Sequence, residues 1–201
     1  KSMYPLVESI KVLDGHPHNL EWHQRRYEKS YRKYYGKNPK YRISQVFSLP
    51  NEYSSGLVKG RFCYNKDDFY WEFHHYTPHK CNTLKIIHDN QIKYNLKLTD
   101  RSALKHLYSQ RGNCDDILIV KKGYITDTFA SNIVFFDGKR WVTPATPLLE
   151  GTTRARLLHD GKIHEAEILL NDLPRFEKFQ LINAMIGFDE EAGKPISDIY
   201  K

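Results

Sequence analysis

The sequence has few cysteines and no long apolar run. Only three cysteines occur among the 201 residues, Cys63, Cys81 and Cys114, and no two of them have C-x-x-C spacing. This argues against both a disulfide framework and a structural zinc site. No apolar stretch approaches the roughly 18 residues of a membrane span, and the first residues, KSMYPLVESI, lack the apolar core of a secretory signal. We therefore expect a cytoplasmic protein that does not bind membranes.

The chain is basic, and its length suffices for a substantial core. Its formal net charge is +7, which favours anionic partners such as phosphates, carboxylates or nucleic acid. A chain of 201 residues forms one compact domain or two small ones. Because the pattern of elements changes near Pro78, we predict two parts, residues 1–80 and 81–201.

The first part is predicted to be α+β. A β-rich segment from Tyr4 to Leu13 is followed by a helix from an N-cap at Asn19 to Tyr35, closed by Gly36. One stripe of this helix carries Leu20, Tyr27, Tyr31 and Tyr34. The segments LVKGRFCYN and FYWEFHHY are strand candidates on either side of a turn.

The second part contains many short strand candidates, which predict a largely antiparallel sheet or barrel. The strand candidates are LKIIHD, DDILIV, GYIT, NIVFF, RWVTP and LINAMIG. Helices are predicted from about Ser102 to Gln110, from Gly151 onward, and around Pro174 to Phe179.

A single acidic residue, Asp127, lies in the otherwise uncharged segment ITDTFASNIVFF, residues 125–136. A buried and unpaired carboxylate costs several kcal/mol on an order-of-magnitude scale. We therefore expect a partner that offsets this cost. Without such a partner, Asp127 is simply a residue of the turn after Gly123.

A second segment, Gly151-Thr152-Thr153-Arg154, suits a phosphate. A glycine and two hydroxyls at a helix start offer free backbone N–H groups, the positive end of the helix dipole and two side-chain donors. The alternative is an ordinary threonine cap.

Several segments together resemble one enzyme family. YNLKLTDR, GYITDTFASNIVFF and TPATPLLEGTTRARLL resemble, in order and spacing, the core of the fold-type IV pyridoxal-phosphate enzymes. These include branched-chain and D-amino-acid aminotransferases and aminodeoxychorismate lyase. HQRRYEKS, residues 23–30, resembles the H-x-x-R-L-x-x-S helix of the family, and LINAMIG extends the similarity downstream.

The resemblance implies a fold, a cofactor and an assembly. The fold would be that of D-amino-acid aminotransferase, with a small α/β N-terminal part that carries the phosphate-binding helix. A larger sheet or barrel would form the C-terminal part and carry the cofactor lysine. The cofactor would be pyridoxal 5'-phosphate, the substrate a small amino compound with a carboxylate, and the assembly a homodimer.

The resemblance also implies roles for particular residues. Lys97 matches the lysine that forms the Schiff base and moves the α-proton, a role that a lowered pKa would support. Asp127 matches the acid that pairs with the ring nitrogen, where the aminotransferases and lyases have Glu. Arg26 would bind the cofactor phosphate through its planar fork of donors.

Further site residues complete this prediction. Thr152 and Thr153 would contact the phosphate, and Ser131 and Asn132 match an S-N pair near the cofactor ring. Arg61, in a strand candidate, is our choice for the residue that binds the substrate carboxylate. No metal site is expected, because the histidines of HHYTPH lack a supporting carboxylate.

The run Lys97-x-x-Asp100-Arg101 resembles the K-x-x-N-R of the lyases more than the K-x-x-x-N-Y of the branched-chain enzymes. We therefore favour 4-amino-4-deoxychorismate lyase, which forms 4-aminobenzoate and pyruvate, with an amino-acid aminotransferase as the alternative. A third hypothesis is a relative that keeps the fold and has changed or lost the reaction, because the chain is shorter than typical members and has Asp at position 127.

A nucleic-acid-binding module is the hypothesis from a different class. It is motivated by the basic, tyrosine-rich segment HQRRYEKSYRKYYGKNPKYR. Tyrosines at helical spacing more often form a core than a stacking platform, and no nucleic-acid signature accompanies them. We therefore expect no nucleic-acid partner.

Overall fold

The structure is a computed structural model that describes residues 3–201. Contacts between Cα atoms divide the chain into two compact units. Unit 1 comprises Lys1–Pro78 and Leu96–Asp100, and unit 2 comprises His79–Asn95 and Arg101–Lys201. Each unit combines β-sheet with helices, which agrees with the predicted α+β class. Among residues 3–201, none of the helices has the length and apolar character needed to cross a membrane.

Unit 1 is built around an antiparallel sheet with one long helix. Its elements are β1 (Leu6–Leu13), β2 (His16–Pro17), α1 (Leu20–Tyr35), α2 (Ile43–Val46), β3 (Leu57–Tyr64) and β4 (Phe69–His75). The strand order is β2-β1-β3-β4. Apolar residues of β1 and β3 alternate onto the face that packs against α1, as the two-residue period of a strand requires.

The bounds of helix α1 agree with the prediction, but two details differ. Gly36 closes the helix with a φ of 69° and donates its backbone N–H to the Arg32 carbonyl. Asn19 precedes the helix in a left-handed conformation, φ 56°, and its side chain makes no capping hydrogen bond. Tyr34, which shares the predicted stripe with Tyr27, is 46% exposed and packs on the ring of Tyr35 in the last turn.

Two tyrosines of α1 belong to the core of unit 1. Tyr27 and Tyr31 are buried, and the Tyr27 ring makes edge-to-face contacts with Phe62 and Tyr64. Such geometry is favourable for aromatic pairs in a protein interior. These two rings are therefore committed to packing, which removes much of the motivation for a nucleic-acid stacking surface.

The segment Leu96–Asp100 extends the sheet of unit 1. Leu98 forms an antiparallel bridge with Leu6, and the Val7 N–H donates to the Lys97 carbonyl at 3.0 Å. The Thr99 N–H donates to the Pro5 carbonyl at 2.9 Å. The segment that contains Lys97 is thus grouped with the first unit, whereas we expected residues 81–201 to carry it. Pairing with a strand some 90 positions earlier has no local signature in the sequence.

Unit 2 contains two sheets and two α-helices. Its elements are β5 (Leu84–His88), α3 (Ser102–Tyr108), β6 (Asp116–Lys121), β7 (Tyr124–Ile125), β8 (Asn132–Phe136), β9 (Trp141–Pro144), α4 (Thr152–His159), β10 (His164–Ala166), β11 (Lys178–Ile182), β12 (Lys194–Pro195) and β13 (Ile199–Tyr200). One sheet has the order β10-β9-β8-β11-β12 and the other β13-β5-β6-β7. Leu118, Phe135 and Phe179 belong to the hydrophobic core that joins both sheets.

Two predictions for unit 2 need correction. Strand β5 is parallel to both β6 and β13, and β9 is parallel to β10, so the sheets are mixed, whereas we expected them to be largely antiparallel. The helix predicted around Pro174 is a short 3-10 helix, Leu170–Arg175. It ends there because strand β11 begins at Lys178 and pairs with β8.

Candidate active site

In unit 1, a buried carboxylate organises two residues of α1. Glu8, on β1, is fully buried. The Arg26 guanidinium donates to it through Nε at 2.9 Å and through Nη2 at 2.5 Å. The second Glu8 oxygen lies 2.7 Å from His23 Nδ1. His23 and Arg26 are three residues apart and therefore share one face of the helix, so both reach the same acid.

The titration behaviour of this cluster follows from its burial and its pairing. Burial alone would raise the pKa of Glu8, but Arg26 and His23 outweigh it and lower the pKa to about 2. Glu8 is therefore ionised at neutral pH. Burial lowers the pKa of His23, and the nearby positive charges of Arg26 and Lys97 lower it further, against the opposing effect of Glu8. Arg26 and Lys97 both act electrostatically on the buried His23.

Loss of the Glu8 charge should destabilise the protein strongly. In the Glu8→Gln variant the mostly buried Arg26 loses its counter-ion, and breaking such a pair costs about 3–5 kcal/mol. Because the pKa of Glu8 is lowered from 4.5 to about 2, wild type should lose this contribution as the pH falls through that interval. Urea unfolding of both proteins at pH 7 and at pH 3 measures the difference.

Glu21→Gln is the matched control for this experiment. Glu21 pairs with Arg25 on the same helix, but both side chains are more than half exposed. An exposed pair contributes at most about 1 kcal/mol. Equal stability losses in the Glu8 and Glu21 variants would contradict the role given to Glu8.

In unit 2, the Asp127 carboxylate is held by two neutral donors. Asn132 Nδ2 donates to Asp127 Oδ1 at 2.9 Å, and the Leu149 backbone N–H donates to Oδ2 at 2.9 Å. Asn132 also donates to the Leu149 carbonyl at 2.9 Å, which ties β8 to the loop after β9. Asp127 is thus part of a buried polar network, which differs from a residue of an exposed turn.

This environment disfavours the ionised form of Asp127. Burial raises its pKa to about 7, against the opposing effects of the Leu149 and Asn132 hydrogen bonds and of Arg154. A cationic group beside the carboxylate would reverse the shift, because an opposite charge favours the ionised form. The site therefore suits a partner that carries a protonated nitrogen.

The raised pKa of Asp127 makes the stability of the cofactor-free protein depend on pH. The folded chain binds a proton more tightly than the unfolded chain between pH 3.8 and about 7. The contribution of Asp127 to stability is therefore complete below that interval and is lost as the pH rises through it. Relative to the Asp127→Asn variant, wild type should become less stable from pH 4 to pH 8, as urea unfolding would measure. A constant difference would contradict the shift.

Helix α4 begins beside this network. Gly151 precedes the helix, and both Thr152 and Thr153 in its first turn are buried. Backbone N–H groups of a first helical turn have no partner within the helix. Together with two hydroxyls, they form a donor set that suits a phosphate. The next residue, Arg154, is not counted in this donor set, because it donates to the Pro144 carbonyl and to Glu165.

Gly151 is required by the close approach of Asn132. A Cβ at position 151 would lie 2.0 Å from Asn132 Oδ1, which no real contact permits. The Gly151→Ala variant should therefore displace Asn132 from Asp127 and lose about 1–3 kcal/mol of stability, the usual cost of overpacking. Thermal unfolding measures this loss. Gly187→Ala is the control, because a Cβ there meets nothing within 4 Å; the account is contradicted if both variants behave alike.

The remaining predicted residues have different surroundings. Ser131 is buried, and its Oγ accepts a hydrogen bond from Asn183 Nδ2 at 2.9 Å. Arg61, on β3, is only partly buried and pairs across the sheet with Glu72 of β4. A substrate carboxylate would have to compete with Glu72 for this guanidinium. No group of three metal-ligating side chains was found within residues 3–201.

Sequence reasoning missed several residues that shape the site. Glu8 lies in an ordinary alternating strand, and only its contact with α1 reveals its importance. Leu149 acts through its backbone N–H, which has no signature in the sequence, and Asn183 acts through a side-chain amide 52 positions after Ser131. The one available signal was an acid at an inward-facing strand position, because LVESIKVL places Glu8 in phase with Leu6 and Ile10.

Comparison with known proteins identifies the family. The model of the amino-transferase class IV family matches residues 5–188. An uncharacterized protein of Haemophilus influenzae (strain Rd) is 40% identical over 188 residues, which cover 92% of this chain and 100% of the relative.

Solved structures agree with this match. The crystal structure of a putative 4-amino-4-deoxychorismate lyase from Haemophilus somnus 129pt is 36% identical, with a TM-score of 0.86 over 94% of this chain and 100% of that one. A putative amino-acid aminotransferase from Mesorhizobium loti is 20% identical, with a TM-score of 0.78 over 91% and 96%; this second similarity concerns the fold.

The fold is therefore that of the fold-type IV pyridoxal-phosphate enzymes. The chain belongs to the class IV aminotransferase family. The family consists of aminotransferases and lyases that depend on pyridoxal phosphate, so the predicted enzyme class and fold class are confirmed.

Proposed function

We propose that this chain is a pyridoxal-phosphate enzyme that cleaves 4-amino-4-deoxychorismate into 4-aminobenzoate and pyruvate. The observation that carries the cofactor assignment is the buried Asp127 carboxylate, held by Asn132 and the Leu149 N–H beside the first turn of α4. The similarity to the Haemophilus somnus protein, 36% identical over its whole length, supports the choice of a lyase.

The residues present fit the cofactor chemically. Thr152, Thr153 and the first N–H groups of α4 offer donors for the phosphate. Arg26 is a further candidate for binding the cofactor phosphate, and Glu8 fixes the direction of its guanidinium through two hydrogen bonds. Asp127 offers the negative charge for a protonated ring nitrogen; Asn132 donates to it, and Ser131 is the residue before Asn132.

Lys97 provides the amine in this proposal. When bound, pyridoxal phosphate supplies an electron-withdrawing ring that stabilises negative charge on the carbon next to the substrate nitrogen. The Lys97 amine would hold the cofactor covalently and would accept the proton released from that carbon. A protonated amine is neither a nucleophile nor a base, so this role requires a lowered pKa of Lys97. Lys97 lies close enough to the buried His23 to act on it electrostatically.

Arg61 is proposed to bind a carboxylate of the substrate. Its guanidinium lies on the sheet face opposite α1, beside Glu72. A substrate carboxylate could replace Glu72 here, because the planar fork of arginine binds a carboxylate in a bidentate manner. The Arg61→Gln variant should raise KM without a comparable change in kcat.

The proposed reaction is tested by separate incubations of the purified protein. With 4-amino-4-deoxychorismate we expect equimolar 4-aminobenzoate and pyruvate, measured by chromatography and a coupled dehydrogenase assay. With amino acids and 2-oxoglutarate we expect no glutamate. Glutamate formation alone would overturn the lyase assignment and leave the cofactor assignment intact.

An amino-acid aminotransferase is the second candidate. It is favoured by the family to which the chain belongs, and the same residues would serve both reactions up to loss of the α-proton. We also propose that the protein is a homodimer, as the family resemblance implies. Light scattering coupled to gel filtration should give twice the 23.8 kDa mass of the chain, and a monomer mass would contradict this part.

A further inference from the structure

Unit 2 contains a cavity whose lining includes none of the proposed site residues. It has a volume of about 360 Å³ and lies between the segment 92–95, the β6–β7 hairpin and the loop after β9. Ligand sites in proteins usually measure about 300–1,000 Å³. The cavity is thus large enough for a small ring compound.

The walls of this cavity are fixed by hydrogen bonds. The Lys121 ammonium donates to the Ile92 carbonyl at 2.6 Å, and the Lys122 N–H donates to Asn90 Oδ1 at 2.6 Å. Lys122 has a left-handed backbone conformation, φ 52°, in the turn that connects β6 and β7. Asp89 Oδ1 accepts from the Ile92 N–H at 3.0 Å and closes the turn beneath it. A ligand would therefore enter a preformed site.

All charged residues that line the cavity are basic. Lys93, Lys121 and Lys122 line the cavity, and none of the lining residues is acidic. An ammonium has three donors. Within residues 3–201 the Lys121 ammonium makes one hydrogen bond, so donors remain for a ligand. Three lysines around a partly enclosed space attract an anion.

The rest of the lining suits a flat apolar ring. Tyr94 and Tyr124 contribute aromatic side chains, and Pro147 and Leu148 contribute apolar surface. Planar ligands gain from contact with aromatic faces, and a few polar groups in a mostly apolar pocket fix orientation. A compact inorganic anion would leave most of this surface without contact.

We propose that this cavity binds a small planar carboxylate, with the ring between the tyrosines and the carboxylate among the lysines. The site does not depend on the proposed reaction. It nevertheless adjoins the Asp127 network through the chain, because the lining residues Thr126 and Leu148 immediately precede Asp127 and Leu149. A ligand in the cavity can therefore affect the Asp127 carboxylate through the backbone at Thr126 and Leu148.

Calorimetric titration of benzoate into the cofactor-saturated protein tests this site. We expect saturable binding of benzoate, and at least tenfold weaker binding of benzamide, which lacks the charge, and of cyclohexanecarboxylate, which lacks the flat ring. The Lys93→Gln/Lys122→Gln double variant should weaken benzoate binding at least tenfold. Both lysines are exposed, so the fold should persist.

Two control variants distinguish benzoate bound in this cavity from benzoate bound elsewhere on the basic chain. Lys105→Gln/Lys139→Gln removes the same charge from exposed positions outside the lining and should leave the affinity unchanged. Arg61→Gln should also leave it unchanged. The proposal is overturned if both lysine double variants lose the same affinity for benzoate, or if Lys93→Gln/Lys122→Gln loses none. It is also overturned if Arg61→Gln loses affinity. Because no substrate is turned over, these results do not depend on the lyase assignment.

Discussion

Replacement of Lys97 with alanine is expected to abolish turnover and the visible absorption of the purified protein. The proposed role of Lys97 combines covalent attachment of the cofactor with removal of a proton. Loss of a positioned general base alone typically costs up to about 10⁴-fold in rate. We therefore expect kcat to fall by at least about 10⁴-fold, measured as release of pyruvate.

The fold should survive this change. The hydrogen bond between Lys97 and Val7 uses backbone atoms, which alanine retains. Thermal unfolding should thus show a small shift, in contrast to the large loss of activity. Lys105→Ala, at an exposed position of α3, is the matched control and should keep both the absorption and the rate. Measurable turnover by the Lys97→Ala protein near the wild-type rate would refute the assignment.

Replacement of Asp127 with asparagine is expected to have the second largest effect. Asparagine keeps the shape and removes the charge that would stabilise a protonated ring nitrogen. Its amide also places a donor against either Asn132 Nδ2 or the Leu149 N–H, both of which donate to Asp127. Removal of one preorganised electrostatic contact typically costs about 10²–10³-fold in kcat. Steady-state kinetics with saturating cofactor would measure this loss.

Asp127→Glu is the informative comparison. It keeps the charge and restores the residue that the aminotransferases and lyases have at this position, but it adds one methylene to a closely packed network. We expect it to retain far more activity than Asp127→Asn. If the two variants lose activity equally, shape rather than charge governs position 127, and the ring-nitrogen role is wrong.

Local sequence signals predicted the helices and strands best where packing agrees with them. Helix α1 ends at Gly36 because glycine adopts the left-handed cap at little cost, which the sequence makes visible. Strands β3, β4 and β8 lie within one or two residues of their predicted bounds, since their β-branched and aromatic residues also face a core. Tyr34 has the same helical phase as Tyr27 and is nevertheless exposed.

The residues that depend on distant partners could not be predicted. The unit to which Lys97 belongs is decided by pairing with β1, and the burial of Glu8 by its contacts with His23 and Arg26. The parallel pairing of β5 with β6 likewise involves segments about 30 residues apart. Local propensity contains no information about such contacts. The motif resemblance, in contrast, located Asp127 and the start of α4, which the structure joins through Leu149 and Asn132.

Mass spectrometry of the borohydride-reduced protein tests the central claim most directly. Reduction should fix the cofactor to the chain, and peptide mapping should find the added mass on the peptide that contains Lys97 and on no other lysine. A protein that acquires no added mass, or that carries it on a different lysine, would contradict the account.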